Sequence, residues 1–273
     1  MAVTMADIQH LRKMTGAGMM DCKSALNEAG GDFDKAMEII RKKGQAVAAK
    51  REDRDAAEGC VLAKTEGNFA AVVALQCETD FVAKNEDYIA LTEQILDAAM
   101  SNKPATIDEL LAIELGNGTV AQIITDKMAA TGEKMELGYY EYITAPYATS
   151  YIHMGNKLAT IVGFNKAVSD EQVAKDIAMQ VAAMNPVSVS VEGIPAEIKE
   201  KELEIAREKA REAGKPENLL DRIAEGALQK FYKESTLLQQ EYVKDSKKSI
   251  EQFMKESDKE LEVTEFKRVS LTV

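Results

Sequence analysis

The sequence predicts an α+β fold, and three features of its patterning carry that expectation. Apolar residues at helical spacing fill the first 44 positions. A strand-like pattern begins near residue 58 and returns beyond residue 137. A charged helical segment with a narrow apolar stripe follows at 195–233.

The N-terminal segment reads as three short helices. Thr4-x-x-Asp7 resembles a capping box, and Ile8 and Leu11 carry the first helix toward the loop TGAGM. A second helix covers roughly 19–29 and stops at Gly30-Gly31. Asp32 can cap a third, with Ala36, Ile39 and Ile40 on one face and Gly44 expected as its terminator. Residues 45–57 lack an apolar stripe and read as a partly helical linker.

The next stretch, EGCVLAKTEGNFAAVVALQC, predicts a hairpin around Glu66-Gly67-Asn68, with strands near 58–64 and 69–77. Helices are expected at 86–100, after Thr106-x-x-Glu109, and at 119–131, the last ending at Gly132. GYYEYITAP, ATSYIHM and KLATIVGFN predict three further strands, the last two joined through Gly155-Asn156. Ser169-x-x-Gln172 is expected to cap a helix that runs to Asn185-Pro186. The order hairpin, turn, helix, proline thus occurs twice, which suggests two related lobes.

Between 195 and 233, Leu203, Ala206, Ala210 and Ala213, then Leu220, Ala224, Ala227 and Phe231, form one stripe interrupted at Gly214 and Pro216. This predicts an antiparallel helical hairpin, supported by pairs such as Glu197 with Lys201. A stripe so narrow buries little by itself, so the hairpin is expected to pack against something else. One more helix near 247–260 and a final strand, FKRVSLTV, complete the chain.

Several function classes are disfavoured. A net charge of −12 argues against general nucleic-acid binding, which rests on neutralising phosphates. No apolar run approaches the roughly 20 residues of a membrane span, and MAVTMADIQHL lacks the basic and apolar regions of a secretory signal. Cys22, Cys60 and Cys77 form no C-x-x-C pair, which favours reduced thiols and a cytoplasmic location over disulfides or zinc. No phosphate-cradle motif is present, since Gly214-Lys215-Pro216 and Gly16-Ala17-Gly18 each lack its essentials. The two histidines, His10 and His153, fall in different units. Neither a catalytic constellation nor a bound cofactor or metal is expected.

One stretch resists this reading. In QCETDFVAKNEDYIAL, Phe81 stands at a polar strand-to-helix turn, in a chain with only 5% aromatic residues. Either Thr79 or Asp80 caps the helix while Phe81 packs onto Asn85 and Tyr88, or Phe81 is presented to a partner.

LRKMTGAGMMDCKSAL and CETDFVAKN, with TGEKMEL, YIHMGNKLATIVGF, IAMQVAAMNP and LLQQEYVKDSKKSI, resemble the bacterial translation elongation factor Ts family nearly end to end. The resemblance implies an N-terminal bundle of the ubiquitin-associated type, a two-subdomain α+β core with antiparallel sheets, and an inserted helical hairpin. The corresponding divisions are 1–55, 56–140, 141–194, 195–233 and 234–273. It also implies guanine-nucleotide exchange on the GTPase elongation factor Tu. Thr79, Asp80, Phe81 and Val82 would enter the partner and disturb its Mg²⁺ site beside GDP. Met19, Met20, Lys23, Arg51, Gly132 and His153 are implied as further partner contacts. The hairpin at 195–233 itself suggests either a homodimer through that segment or support of the core. The chain departs from the family pattern at Ala159, Gln180 and Glu241. A helical adaptor that merely recruits partners is the alternative from a different class.

Overall fold

The structure, a computed structural model, describes residues 3–272. Its N-terminal helices form where their caps require. Thr4 and Asp7 close the expected capping box on α1 (Met5–Thr15), α2 spans Met19–Glu28, and Asp32 caps α3 (Phe33–Ala49). Ile8, Leu11, Cys22, Ala25, Leu26, Ala36 and Ile40 form their common core. Gly44 does not end α3, which continues for five residues. A Cβ at this buried position would lie 3.2 Å from the Cβ of Ala129, so glycine serves the close approach to a later helix, α7 (Val120–Thr131).

Strands β1 (Glu58–Glu66) and β2 (Phe69–Cys77) form the expected hairpin. After a single helical turn, α4 (Asp80–Ala83), come α5 (Glu86–Asn102) and α6 (Ile107–Leu111). A two-residue ladder absent from the sequence reading, β3 (Glu114–Leu115) with β4 (Gly118–Thr119), leads into α7. The next strand, β5 (Met135–Thr144), was expected to open the second group of strands. It instead pairs antiparallel with β2 and closes the first sheet, in the order β1-β2-β5.

The second sheet repeats this plan. β6 (Tyr147–Ile152) and β7 (Leu158–Phe164) form its hairpin, and α8 (Glu171–Met184) follows, capped by Asp170 rather than Ser169. The third strand, β10 (Val263–Ser270), arrives late and pairs with β7, in the order β10-β7-β6. The expected strand ran on to Val273, which lies outside the described residues. Both lobes are therefore a hairpin, a helix and a returning strand on the hairpin's second strand. Their helices also end alike: Lys103 (φ 49°) and Asn185 (φ 44°) adopt the left-handed conformation, each immediately before a proline.

The two sheets pack against each other through Val61, Ala63, Ala70, Val72, Ala74, Ile143, Ala148, Ala159 and Ile161. β2 is consequently covered on both sides. Phe69, Ala71, Val73, Leu75 and Cys77 face the core shared with α5 and α7, and the residues between them face the second sheet. Double coverage explains why FAAVVALQC is a continuous apolar run without alternation. Ala159, one of the departures from the family pattern, is fully buried in this inter-sheet layer.

The helical hairpin consists of α9 (Ala196–Glu212) and α10 (Glu217–Ser235), tied by Arg207–Asp221 at 2.8 Å and Arg211–Glu217 at 3.0 Å. The expected cover for its stripe is not provided by the core: α9 packs principally on α10. Glu197 and Lys201 form no ion pair. A short ladder, β8 (Glu241–Tyr242) with β9 (Asp245–Ser249), precedes α11 (Ile250–Ser257). The ladder is held by α8. Gln180, fully buried, donates to the carbonyl of Glu241 at 3.0 Å and accepts from the Val243 amide at 2.9 Å, so two departures from the family pattern meet here.

No helix among the described residues is long and apolar enough to cross a membrane. All three cysteines are free and buried. Burial raises the pKa of each thiol, that of Cys60 to about 11, so little reactive thiolate exists near neutrality. Native protein at pH 7.5 should resist labelling by iodoacetamide, and three thiols should appear on denaturation. Rapid native labelling of Cys60 would contradict the packing of β1 against α5.

Candidate functional site

The turn between β2 and α5 is built by successive caps. β2 ends at buried Cys77, whose Sγ donates to the Thr79 carbonyl at 3.2 Å. Thr79 is extended (φ −125°, ψ 153°) and caps α4, its Oγ1 accepting from the Val82 amide at 3.4 Å. Asn85 then caps α5 by accepting from the Asp87 amide at 2.9 Å. Within the single turn, Ala83 is buried and Val82 half-buried against the core, so the side opposite them faces solvent. Phe81 lies there, 85% exposed.

This rules out the packed reading of Phe81. It does not pack onto Asn85 and Tyr88. Tyr88 itself fills that core, fully buried, with its hydroxyl donating to the Leu75 carbonyl at 2.8 Å. Beside Phe81, Asp80 accepts from Lys84 at 2.6 Å, and this hydrogen bond holds its carboxyl below the usual range. Asp80 is thus a fixed anionic acceptor next to an exposed ring.

The turn is braced from two directions. Glu78 accepts from Arg51 at 3.0 Å, from Arg54 at 2.9 Å and from the Lys134 amide at 2.6 Å. The Lys134 amide leads the causes that keep its carboxyl ionised, followed by Arg54 and Arg51. Thr79 in turn is gripped by Glu133, whose Oε2 accepts from the Thr79 amide at 3.0 Å and whose Oε1 accepts from its hydroxyl at 2.7 Å. Gly132, in the left-handed conformation (φ 75°), ends α7 so that Glu133 and Lys134 reach this place; a Cβ there would lie 3.7 Å from Nη2 of Arg51.

Arg51, Thr79, Asp80, Phe81, Val82 and Gly132 therefore meet at one corner, although Arg51 is turned inward onto Glu78. His153 lies at the turn after β6, with its Nδ1 3.0 Å from the Tyr151 hydroxyl. The same turn is anchored beside β1: the Val61 amide donates to the Asn156 carbonyl at 2.7 Å, and Lys157 pairs with Glu58. Its tip, Met154, is 90% exposed. Met19, Met20 and Lys23 stand apart on α2. Met20 is 76% exposed and is not bundle core.

Sequence reasoning missed Glu78, Glu133 and Lys134. Their partners lie 24 to 56 residues away, a range at which no periodicity reports pairing. The segments CETDFVAKN and TGEKMEL that carry the resemblance do contain them. Among the described residues, no group of three or more His, Cys, Asp or Glu side chains is placed to hold a metal ion.

A family model described as Elongation factor TS matches residues 78–272. The chain is 65% identical over 272 residues to elongation factor Ts of Porphyromonas gingivalis, covering 99% of both chains. It is 55% identical over 273 residues to elongation factor Ts of Azobacteroides pseudotrichonymphae, covering 100% of both. It is 48% identical to elongation factor Ts of Bacteroides fragilis, again with 99% of both chains covered. With the family match covering residues 78–272 and these relatives extending it through β1, β2 and the N-terminal bundle, the chain belongs to the elongation factor Ts family.

Proposed function

We propose that the chain is a guanine-nucleotide exchange factor for elongation factor Tu, working in the cytoplasm during translation elongation. The observation that carries this reading is the presentation of Phe81, an almost fully exposed aromatic ring on a one-turn helix braced by Glu78 and Glu133. A rigid apolar side chain in that position gains by desolvation when it enters a partner, and its turn needs little ordering to bind.

In this reading Phe81 enters the GTPase domain, Asp80 orients the entry through its free acceptor sites, and Thr79 and Val82 hold the turn. The ring displaces elements that support Mg²⁺ and the phosphates beside GDP. Mg²⁺ demands near-ideal octahedral geometry, so a small displacement of its ligands weakens it sharply. No bond is made or broken. Exchange factor and nucleotide oppose each other's binding by the same factor, because linkage is reciprocal. His153, Gly132 and the α2 residues Met19, Met20 and Lys23 widen the contact.

The direct test is the release of fluorescent GDP from the cognate elongation factor Tu with and without this protein. Acceleration that weakens as Mg²⁺ is raised supports the reading; no acceleration at saturating protein removes it.

A further inference from the structure

The turn that carries Phe81 is too short to fix its own direction. α4 comprises four residues, and its cap hydrogen bond from the Val82 amide to Thr79 Oγ1 is long, at 3.4 Å. A hydroxyl can cap an amide only if its proton points elsewhere. Here the proton goes to Glu133. An ionised carboxylate accepts and never donates, so Oε1 of Glu133 at 2.7 Å obliges the Thr79 hydroxyl to donate and leaves a lone pair for Val82. Its second oxygen, Oε2, binds the Thr79 amide at 3.0 Å. One side chain thus fixes both the backbone position and the hydroxyl polarity of the cap beneath Phe81.

The arrangement is reciprocal. The side chain of Glu133 holds the backbone of Thr79, and the side chain of Glu78 holds the backbone of Lys134 at 2.6 Å. Glu133 is placed for this by the end of α7, through the Gly132 cap and a bond from its own amide to Thr131 Oγ1 at 3.3 Å. α7 packs on α3 where Gly44 meets Ala129, so the brace is backed by the N-terminal bundle as well as by the core.

We infer that Glu133 is a positioning residue for nucleotide exchange: its carboxylate sets the Thr79 cap and thereby the direction in which Phe81 projects. The inference rests on the reading of Phe81 as the exchange wedge. Without Glu133 the turn samples several orientations, and Phe81 must be ordered at each encounter. The cost falls on the exchange step more than on docking, which uses a wider surface.

A double-mutant cycle with Phe81→Ala tests this through GDP release from elongation factor Tu at varied exchange-factor concentration. Glu133→Ala should lower the maximal release rate by about 10-fold, the effect of losing one charge-assisted hydrogen-bond pair. The half-saturating concentration should stay within about twofold. Glu133→Gln keeps one acceptor oxygen for the Thr79 amide but turns a donor toward Thr79 Oγ1 and no longer fixes the polarity of that hydroxyl, so it should recover only part of the rate. In the Phe81→Ala background Glu133→Ala should add nothing. An unchanged rate in Glu133→Ala, or equal losses in both backgrounds, overturns the positioning role and leaves the wedge standing. A Phe81→Ala protein with full activity removes the wedge and this inference together. Should Glu133→Ala fail to fold, Thr79→Val deletes the hydroxyl that Glu133 orients and carries the same expectations in both backgrounds.

Discussion

Phe81→Ala should slow GDP release from elongation factor Tu by about 100-fold while leaving the fold intact. The magnitude corresponds to about 2.7 kcal/mol, within the range found when a central aromatic anchor is truncated. Stability should hardly change, because a ring 85% exposed contributes little to the core and surface truncations usually stay within about 0.5 kcal/mol. Thermal unfolding within about 2 °C of the parent would establish that. Binding, measured separately by calorimetry, should persist through the rest of the surface. Exchange and stability therefore separate in one variant. A helical adaptor would behave differently: Phe81→Ala would then alter binding or nothing, and GDP release would be indifferent to the protein from the start.

The second large effect is on folding. Gly59, early in β1, has φ +155°, and a Cβ there would lie 2.3 Å from the Leu75 carbonyl oxygen and 2.8 Å from the Cα of Gln76. Both are backbone atoms of the neighbouring strand, so no rotamer change relieves the overlap. Leu271 Cδ1, at 2.9 Å, closes the remaining side. Gly59→Ala should cost about 3 kcal/mol or more, from overpacking and an unfavourable backbone conformation together. In a chain of this size that lowers the melting temperature by about 6–12 °C. Gly67→Ala is the internal control. Gly67 also has positive φ (+60°) but nothing lies within 4 Å of the added Cβ, so only the conformational cost of about 1–2 kcal/mol applies. Equal melting temperatures for the two variants would contradict the close approach of β1 to β2 at Gly59.

Much of the fold was legible because it is written locally. Thr4 with Asp7, Asp32, Thr106 and Gly132 announce helix ends that the structure realises, and the Gly67 hairpin follows from its turn residues. What failed was information held in tertiary contacts. Gly44 looks like a stop, yet its missing side chain is needed by Ala129, 85 positions later in the chain. β5 has the pattern of an ordinary strand, and nothing in that pattern says which sheet it joins. The ladders at 114–119 and 241–249 are too short to show a period.

The site shows the same division. TDFVAKN drew attention to Phe81, but exposure and burial of that ring were both compatible with the sequence. The structure leaves Phe81 exposed, and Tyr88 is the ring buried in the adjoining core. The charged residues that brace the turn are ordinary Glu, Arg and Lys in a chain with 29% charged residues, so composition gave no reason to single out Glu78 or Glu133.

The late arrival of β10 bears on how this molecule is made. The first lobe draws its strands and its helix from one continuous stretch, so it can assemble as soon as that stretch has left the ribosome. The second lobe must wait. Its central strand β7 is flanked by β10 only after α8, the α9–α10 hairpin and α11 have been synthesised, and the Glu262 amide that bonds Asn165 lies 97 residues downstream. During that interval one edge of β7, with Ile161, Val162 and Phe164 on its faces, is unpaired. Non-local pairing of this kind is slow and exposes sticky edges. Nascent chains stalled between α8 and β10 should thus be the most aggregation-prone species in the protein's biogenesis.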